Sequence, residues 1–321
     1  RKKFNNNSIL NKKFTVIIIY KYKFALMLRK LILMIVFLSP LYGFSQESRP
    51  PNIIMMIGDG MGLSQISSGM YSNNNYTSLE RSHHIGLIKT HSFDNLITDS
   101  AAAGTAMSSG TKTYNRVVGM DENFSPVKSI LEILRDKGYM TAIIATSTIV
   151  HATPASYYSK VKSRYQYDEI ASQLSKSNIN FFVGGGEKHF NDRRDKRNLI
   201  NEMDDYLFAN SLESFIKINS NKIGFLTNYD DPIGKHEGRE PSLEDMVQAT
   251  LQKLSSFNKP FFLLVEGSQI DWGGHDNDSE HLISEMLEFD RTVGVVFDFA
   301  NKDKNTTVVI TADHETGGLS I

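Results

Sequence analysis

The chain alternates short, continuous apolar runs with longer stretches whose apolar residues recur at helical spacing. PNIIMMIGDG (51–60), YMTAIIAT (139–146), NFFVGGG (180–186), FFLLVEG (261–267) and TTVVITADHE (306–315) have the length and the β-branched and aromatic content of strands buried on both faces. Between them, Ser125 to Lys137, Tyr167 to Ser175, Ser242 to Leu254 and Glu280 to about Ala300 read as helices. This alternation predicts an α/β fold, a doubly wound, mostly parallel sheet with helices on both faces. The polar stretch 188–239 reads as an insertion over the sheet edge or the rim of a site. There is no internal repeat and no linker that divides the chain.

Composition narrows the chemistry. With 40% hydrophobic and 22% charged residues, the 321-residue chain has the makeup of a folded protein rather than a disordered one. It has no Cys, which excludes disulfides, thiolate metal sites and a cysteine nucleophile. Any metal must be held by oxygen and nitrogen.

The net charge of −1 conceals an asymmetry: residues 1–46 hold nine of the 35 Lys and Arg and none of the 36 acids. The remainder is therefore near −10, the wrong sign for a general nucleic-acid binder. In the basic part, MLRKLILMIVFLSPLYGFSQ (27–46) has a charged start, an apolar run from Leu31 to Leu38, and small residues Gly43 and Ser45. This is the pattern of a secretory signal peptide over 27–45, which predicts export to the periplasm or the exterior and no stable membrane span in the mature form. Residues 1–26, which do not begin with Met, read as a non-native or translated upstream segment, and 46–321 as a single domain.

Candidate chemistry lies where buried runs end, the place where α/β proteins bind ligands. Asp59 sits between Gly58 and Gly60. Asp99-Ser100 opens an Ala-rich stretch that can begin a helix, where a hydroxyl serves either as a cap or beside an anion held by free N–H groups. Glu266, Asp271 and His275 follow one run, and Asp313, His314 and Glu315 follow another. Acids and histidines gathered this way, without thiolates, suit zinc together with an oxygen-rich magnesium position.

Five segments, in order, carry a family resemblance: GDGMG (58–62), TDSAAAGTA (98–106), HATPASYYSKVKSR (151–164), VEGSQIDWGGH (265–275) and TADHETGG (311–318). Together they resemble the signature blocks of alkaline phosphatases. Carried over, the resemblance implies Ser100 as a nucleophile that forms a phosphoserine, with Arg164 clamping the phosphate oxygens. It implies two Zn2+ and one Mg2+ per active site. Asp271 and His275 would hold the first zinc, Asp313 and His314 the second, and Asp59 would bridge the second zinc and the magnesium. Thr153 and Glu266 would complete the magnesium set. His151 and Trp272 stand where other members carry Asp and Lys, which implies altered magnesium binding or phosphate affinity.

The implied function is metal-dependent hydrolysis of small phosphate monoesters, with no specific nucleic-acid partner and with a homodimer as one assembly the family uses. A phosphodiesterase or sulfatase of the same superfamily, or an exported phosphate- or zinc-binding protein without turnover, are the alternatives. The family also brings a further histidine to the first zinc from beyond the DHE block, whereas this sequence ends at Ile321. His83, His84, His91, His189 and His236 do not stand in that order, so the expectation from sequence is a fold whose C-terminal part is missing.

Overall fold

The computed structural model describes residues 20–32, 34 and 49–321. Residues up to Arg49 form a unit separate from Pro50–Ile321. Residues 20–32 are helical and exposed. The rest of the expected 1–26 segment and most of the expected signal peptide, 27–45, lie outside the described residues. No helix among the described residues is long and apolar enough to cross a membrane.

The unit from Pro50 onward is built on one seven-stranded sheet: β1 (Asn52–Gly58), β2 (Met140–Thr148), β3 (Phe181–Gly185), β4 (Leu207–Ala209), β5 (Ile223–Leu226), β6 (Phe261–Gly267) and β7 (Thr306–Ala312). Their order across the sheet is β4-β5-β3-β2-β6-β1-β7, and every ladder in it is parallel. The five runs read as strands are five of these seven. The segment 188–239 supplies the other two, β4 and β5, so this polar stretch builds one edge of the sheet as well as covering it.

Successive residues of a strand point to opposite faces, so each central strand feeds two cores. Ile54, Met56, Leu263 and Val265 enter one cluster, together with Leu243, Met246 and Val247 and with Met286, Phe289 and Val293 of the two long helices Leu243–Ser256 and Ser279–Asp303. Ile57, Phe262, Leu264 and Ile143 enter the other, against Leu131, Leu134, Ile170 and Leu174 of the helices Ile130–Asp136 and Tyr167–Leu174. Each such side chain removed from water contributes about 1.5–3 kcal/mol before entropy is counted. The continuous apolar runs are thus the signature of strands covered on both sides.

The helix expected from Ser125 begins at Ile130 instead. Pro126 pairs across an isolated antiparallel bridge with Met120, which holds the chain extended there. Ser129 then closes a capping box: its hydroxyl accepts from the Glu132 N–H at 3.2 Å, and the Glu132 carboxylate accepts from the Ser129 N–H at 2.8 Å. The helix expected from about Glu280 runs from Ser279 to Asp303, with Asp278 accepting from the Glu280 and His281 N–H groups at its start.

Candidate active site

Four adjacent strands, β2, β6, β1 and β7, deliver the candidate residues to one end of the sheet. The register places Gly58 of β1 opposite both Gly267 of β6 and Ala312 of β7. Asp59 and Asp313, each one residue further on, therefore leave neighbouring strands at the same level. Glu266 lies one step below, opposite Ile57 and Ala145. Asp59, Glu266 and Asp313 are all buried. Gly60 turns the chain at φ +69°, and a Cβ there would stand 2.7 Å from the Asp271 Cα, so the loop can close only with glycine.

The nucleophile candidate comes from another direction. Asp99, not Ser100, caps the helix Ser100–Ser109: its Oδ1 accepts from the Ala102 N–H at 3.0 Å, and its Oδ2 accepts from the Arg116 N–H at 3.0 Å. Ser100 is the first helical residue, and its hydroxyl is left to face the cluster of acids. Its Oγ lies 3.5 Å from Asp59 Oδ1, 3.4 Å from His314 Nε2 and 3.5 Å from an Arg164 guanidinium nitrogen. The capping reading considered for Ser100 thus belongs to its neighbour. Gly104 lets this helix sit against the short turn Ala152–Ala155, since a Cβ there would meet Ser156 Oγ at 2.6 Å.

Asp59, Asp271 and His314 each offer a ligand atom, and these atoms lie within 4.8 Å of one another. His314 Nε2 is also 3.3 Å from Asp313 Oδ2. Burial, reinforced by the charges of Asp313, Asp271 and Glu266, holds the Asp59 carboxyl well above the ordinary range. Burial likewise pushes Glu266 up to about 7, although the nearby Ser268 and Thr153 hydroxyls and the charge of Arg164 pull the other way. Both Glu266 oxygens, Thr153 Oγ1 and Asp313 Oδ2 are buried without a hydrogen-bond partner. Buried carboxylates in this state repel one another and lack compensation, which is the condition a divalent cation relieves. The oxygen-rich donors fit magnesium, and the mixed carboxylate and imidazole donors fit zinc.

The short helix Gln269–His275 presents Asp271 inward and His275 at the rim, with His275 Nε2 3.5 Å from Asp271 Oδ1. Trp272 lies edge-on to His151, with ring centroids 5.8 Å apart. Burial, with the charges of Arg164 and His189, pushes the His151 ring down to about 3, so it is neutral at physiological pH. Arg164 donates to Asp99 Oδ2 at 3.3 Å and is anchored by its own backbone N–H to the Arg116 carbonyl at 2.7 Å. Ser100, His151, Arg164, Asp271, His275 and His314 line a cavity of about 460 Å3, together with Tyr165, Tyr167, Glu315 and Thr316. The structure therefore brings Asp59, Ser100, Arg164, Asp271, Asp313 and His314 together, with Thr153 and Glu266 beneath them and His151, Trp272 and His275 beside them. His83, His84, His91, His189 and His236 contribute no atom to the cluster of ligand atoms.

A family model described as alkaline phosphatase matches residues 51–321. The chain belongs to the alkaline phosphatase family. It is 40% identical over 291 residues to alkaline phosphatase 4 of Bacillus subtilis, covering 84% of this chain and 62% of that protein. It is 34% identical to the repressible alkaline phosphatase of Saccharomyces cerevisiae over 86% of this chain and 56% of that one. Among solved structures, the alkaline phosphatase of the Antarctic bacterium TAB5 matches with a TM-score of 0.82 at 41% identity, over 84% of this chain and 81% of that one. A variant of that enzyme carries magnesium in its M3 site. The chain thus spans about three fifths of the length of the bacterial curated relative.

Some residues of this site were not legible from their motifs. Thr316 is buried, donates to Asp271 Oδ1 at 2.5 Å and lies 3.1 Å from His314 Nδ1, so it ties together the segments that follow β6 and β7. Gln65 donates to the Thr316 carbonyl at 2.7 Å and to Glu315 Oε1 at 3.1 Å. In the sequence, Thr316 is one hydroxyl between Glu315 and two glycines, and only the fold shows what it reaches.

Proposed function

We propose that this chain carries the reacting centre of a metal-dependent phosphate monoester hydrolase that works through a phosphoserine at Ser100. The observation behind this reading is the position of the Ser100 hydroxyl: at a helix N-terminus, on the cavity floor, within 3.5 Å of a carboxylate, an imidazole and a guanidinium. A phosphoryl group placed there would meet Arg164, whose planar fork suits two non-bridging oxygens, and the positive end of the Ser100–Ser109 helix. Asp99 holds that helix end and Arg164 in one network, so the two donors are positioned before substrate arrives.

Two zinc ions and one magnesium ion are the cofactors of this reading. Asp271 and His275 would hold the first zinc, Asp313 and His314 the second, and Asp59 with Thr153 and Glu266 the magnesium. Bound there, the ions would supply the positive charge that lowers the hydroxyl pKa and steadies the leaving oxygen. Ser100 Oγ attacks phosphorus as the bond to the leaving alcohol oxygen breaks, and water then displaces the serine oxygen to release phosphate. Arg164 contacts the phosphoryl oxygens through both displacements. The neutral His151 at the cavity wall and Trp272 beside it stand where other members of the family carry an acid and a lysine, which alters magnesium binding or phosphate affinity. Export of the mature domain to the periplasm or exterior and a homodimeric assembly belong to the same proposal, as does action on small esters rather than nucleic acid.

Turnover of a monoester, a diester and a sulfate ester by the purified chain, with zinc and magnesium and again after chelation, tests this reading. Metal-dependent monoester turnover well above the other two is expected. A preference for the diester or the sulfate, or monoester turnover that survives chelation, would overturn it.

A further inference from the structure

A second cavity, of about 540 Å3, opens beside the first. Tyr165 and Tyr167 line both. The remaining walls are Gln166, Asp168, Glu169, Lys188, His189, Asp192 and Arg194, a ring of polar groups of both signs that favours neither a strong anion nor a strong cation. Each cavity is in the size range of a small-ligand pocket, and the two shared tyrosines make them neighbours.

The aromatic wall between them is ordered. Tyr167 is flanked by the His151 ring, 6.5 Å away and nearly parallel, and by the His189 ring at 5.0 Å. Tyr165 stands almost perpendicular to Tyr167, with centroids 6.5 Å apart. The Arg116 guanidinium lies over the Tyr165 ring at 5.9 Å. Tyr165 nevertheless remains 61% exposed. An exposed aromatic is ordinary by itself. This one is braced by a cation and a fixed aromatic neighbour, three residues or fewer from Arg164 and Tyr167, and borders the cavity in which Ser100 lies.

We propose that Tyr165 and Tyr167 form the subsite for the leaving group, and that it selects a flat, aromatic alcohol with hydrogen-bonding edges, of which a nucleoside is the chemical type. This inference rests on the monoesterase reading. With the phosphoryl group at Ser100 and Arg164, the ester oxygen points out of the first cavity, and the shared tyrosines lead the attached group into the second. A base ring stacks on Tyr165, while Gln166, Asp168, Glu169 and Arg194 meet its heteroatoms and the sugar hydroxyls. An aliphatic leaving group such as glycerol has no face to offer Tyr165 and gains little there.

The test compares the metal-loaded full chain with Tyr165→Ala and Tyr165→Phe, using adenosine 5′-monophosphate and glycerol 2-phosphate as substrates. Because Tyr165 is exposed, truncation leaves the core intact. The wild type is expected to have the lower KM for the nucleotide. Tyr165→Ala should raise that KM roughly tenfold, in line with the loss of one base–aromatic stack, and Tyr165→Phe should restore it. A calorimetric titration with adenosine, which has no phosphate to lose, should show binding to the wild type and to Tyr165→Phe and roughly tenfold weaker binding to Tyr165→Ala. An unchanged KM ratio in Tyr165→Ala, or adenosine affinity equal across the three proteins or absent from all, would overturn the subsite. Failure of the wild type to hydrolyse either ester counts against the monoesterase reading instead, and the adenosine titration then decides the subsite by the same two outcomes.

Discussion

The backbone N–H of Gly60 donates to Asp313 Oδ1 at 3.0 Å, and so fastens the turn after β1 to the end of β7, more than 250 residues away in sequence. The same Asp313 oxygen accepts from the His314 N–H at 2.8 Å. One oxygen of the carboxylate is thereby committed to holding the loops in place, and the other, Oδ2, is buried without a hydrogen-bond partner and faces the cluster, 3.3 Å from His314 Nε2. A division of this kind, with one atom for structure and one for a ligand, is how a rigid site keeps a charged group aimed.

Gly60→Ala should therefore damage both the loop and the cluster. The substitution forces a left-handed φ on a residue with a Cβ and drives that Cβ against the Asp271 Cα. A loss of about 1–3 kcal/mol in urea unfolding is expected, accompanied by weaker zinc retention on dialysis. Stability and metal content equal to the wild type would show that the loop has room to relax.

The metal-free protein should lose stability as pH rises. Glu266 has an ordinary value of 4.5 when unfolded and is pushed up to about 7 when folded, chiefly by burial. Between those values the folded chain binds more protons than the unfolded one, so the contribution of Glu266 is most favourable below about pH 4.5 and falls away as pH climbs through 7. At ~1.36 kcal/mol per unit the full change is ~3 kcal/mol. Asp59, raised for the same reason, adds in the same direction. Unfolding of the metal-free wild type and of Glu266→Gln across this range should differ by that slope, and parallel curves would contradict it.

Arg239 should be indispensable even though it lies away from the cavity. It donates to both oxygens of Glu285 at 2.7 Å and also to Glu288, and all three side chains are buried. His281, 3.7 Å from Glu285, donates its Nε2–H to Gln269 Oε1 at 3.1 Å, and Gln269 in turn donates to the Thr146 carbonyl at the end of β2. Arg239→Ala leaves two buried carboxylates with only Lys235 and His281 nearby, so a loss of about 3–5 kcal/mol is expected in chemical denaturation. Replacing Arg239, Glu285 and Glu288 together with apolar residues should recover most of it. A mild single variant would mean that the carboxylates reach water.

Much of the site was visible in the sequence because strands buried on both faces announce themselves as unbroken apolar runs. The residue that ends such a run stands at the carboxyl edge of the sheet, which is why Asp59, Glu266 and Asp313 could be picked out. Short strands toward the edge of the sheet carry no such signal. Leu207–Ala209 and Ile223–Leu226 span three and four residues among polar neighbours, and only pairing with β3 and with each other makes them strands. The cap was hidden for a related reason: Asp99 and Ser100 both suit a helix start, and the contact of Asp99 with the Ala102, Arg116 and Arg164 donors decides between them. Thr316 and Gln269 act through partners distant in sequence, so no local pattern marks them.

Acid-quenched protein, incubated with zinc, magnesium and a phosphate monoester and then digested, gives the most direct measurement of the central claim. A phosphate on the peptide that contains Ser100, present in the wild type, absent from Ser100→Ala and absent when the metals are chelated first, is the predicted result. Phosphate on another residue, or undiminished monoester turnover by metal-loaded Ser100→Ala, would contradict the account.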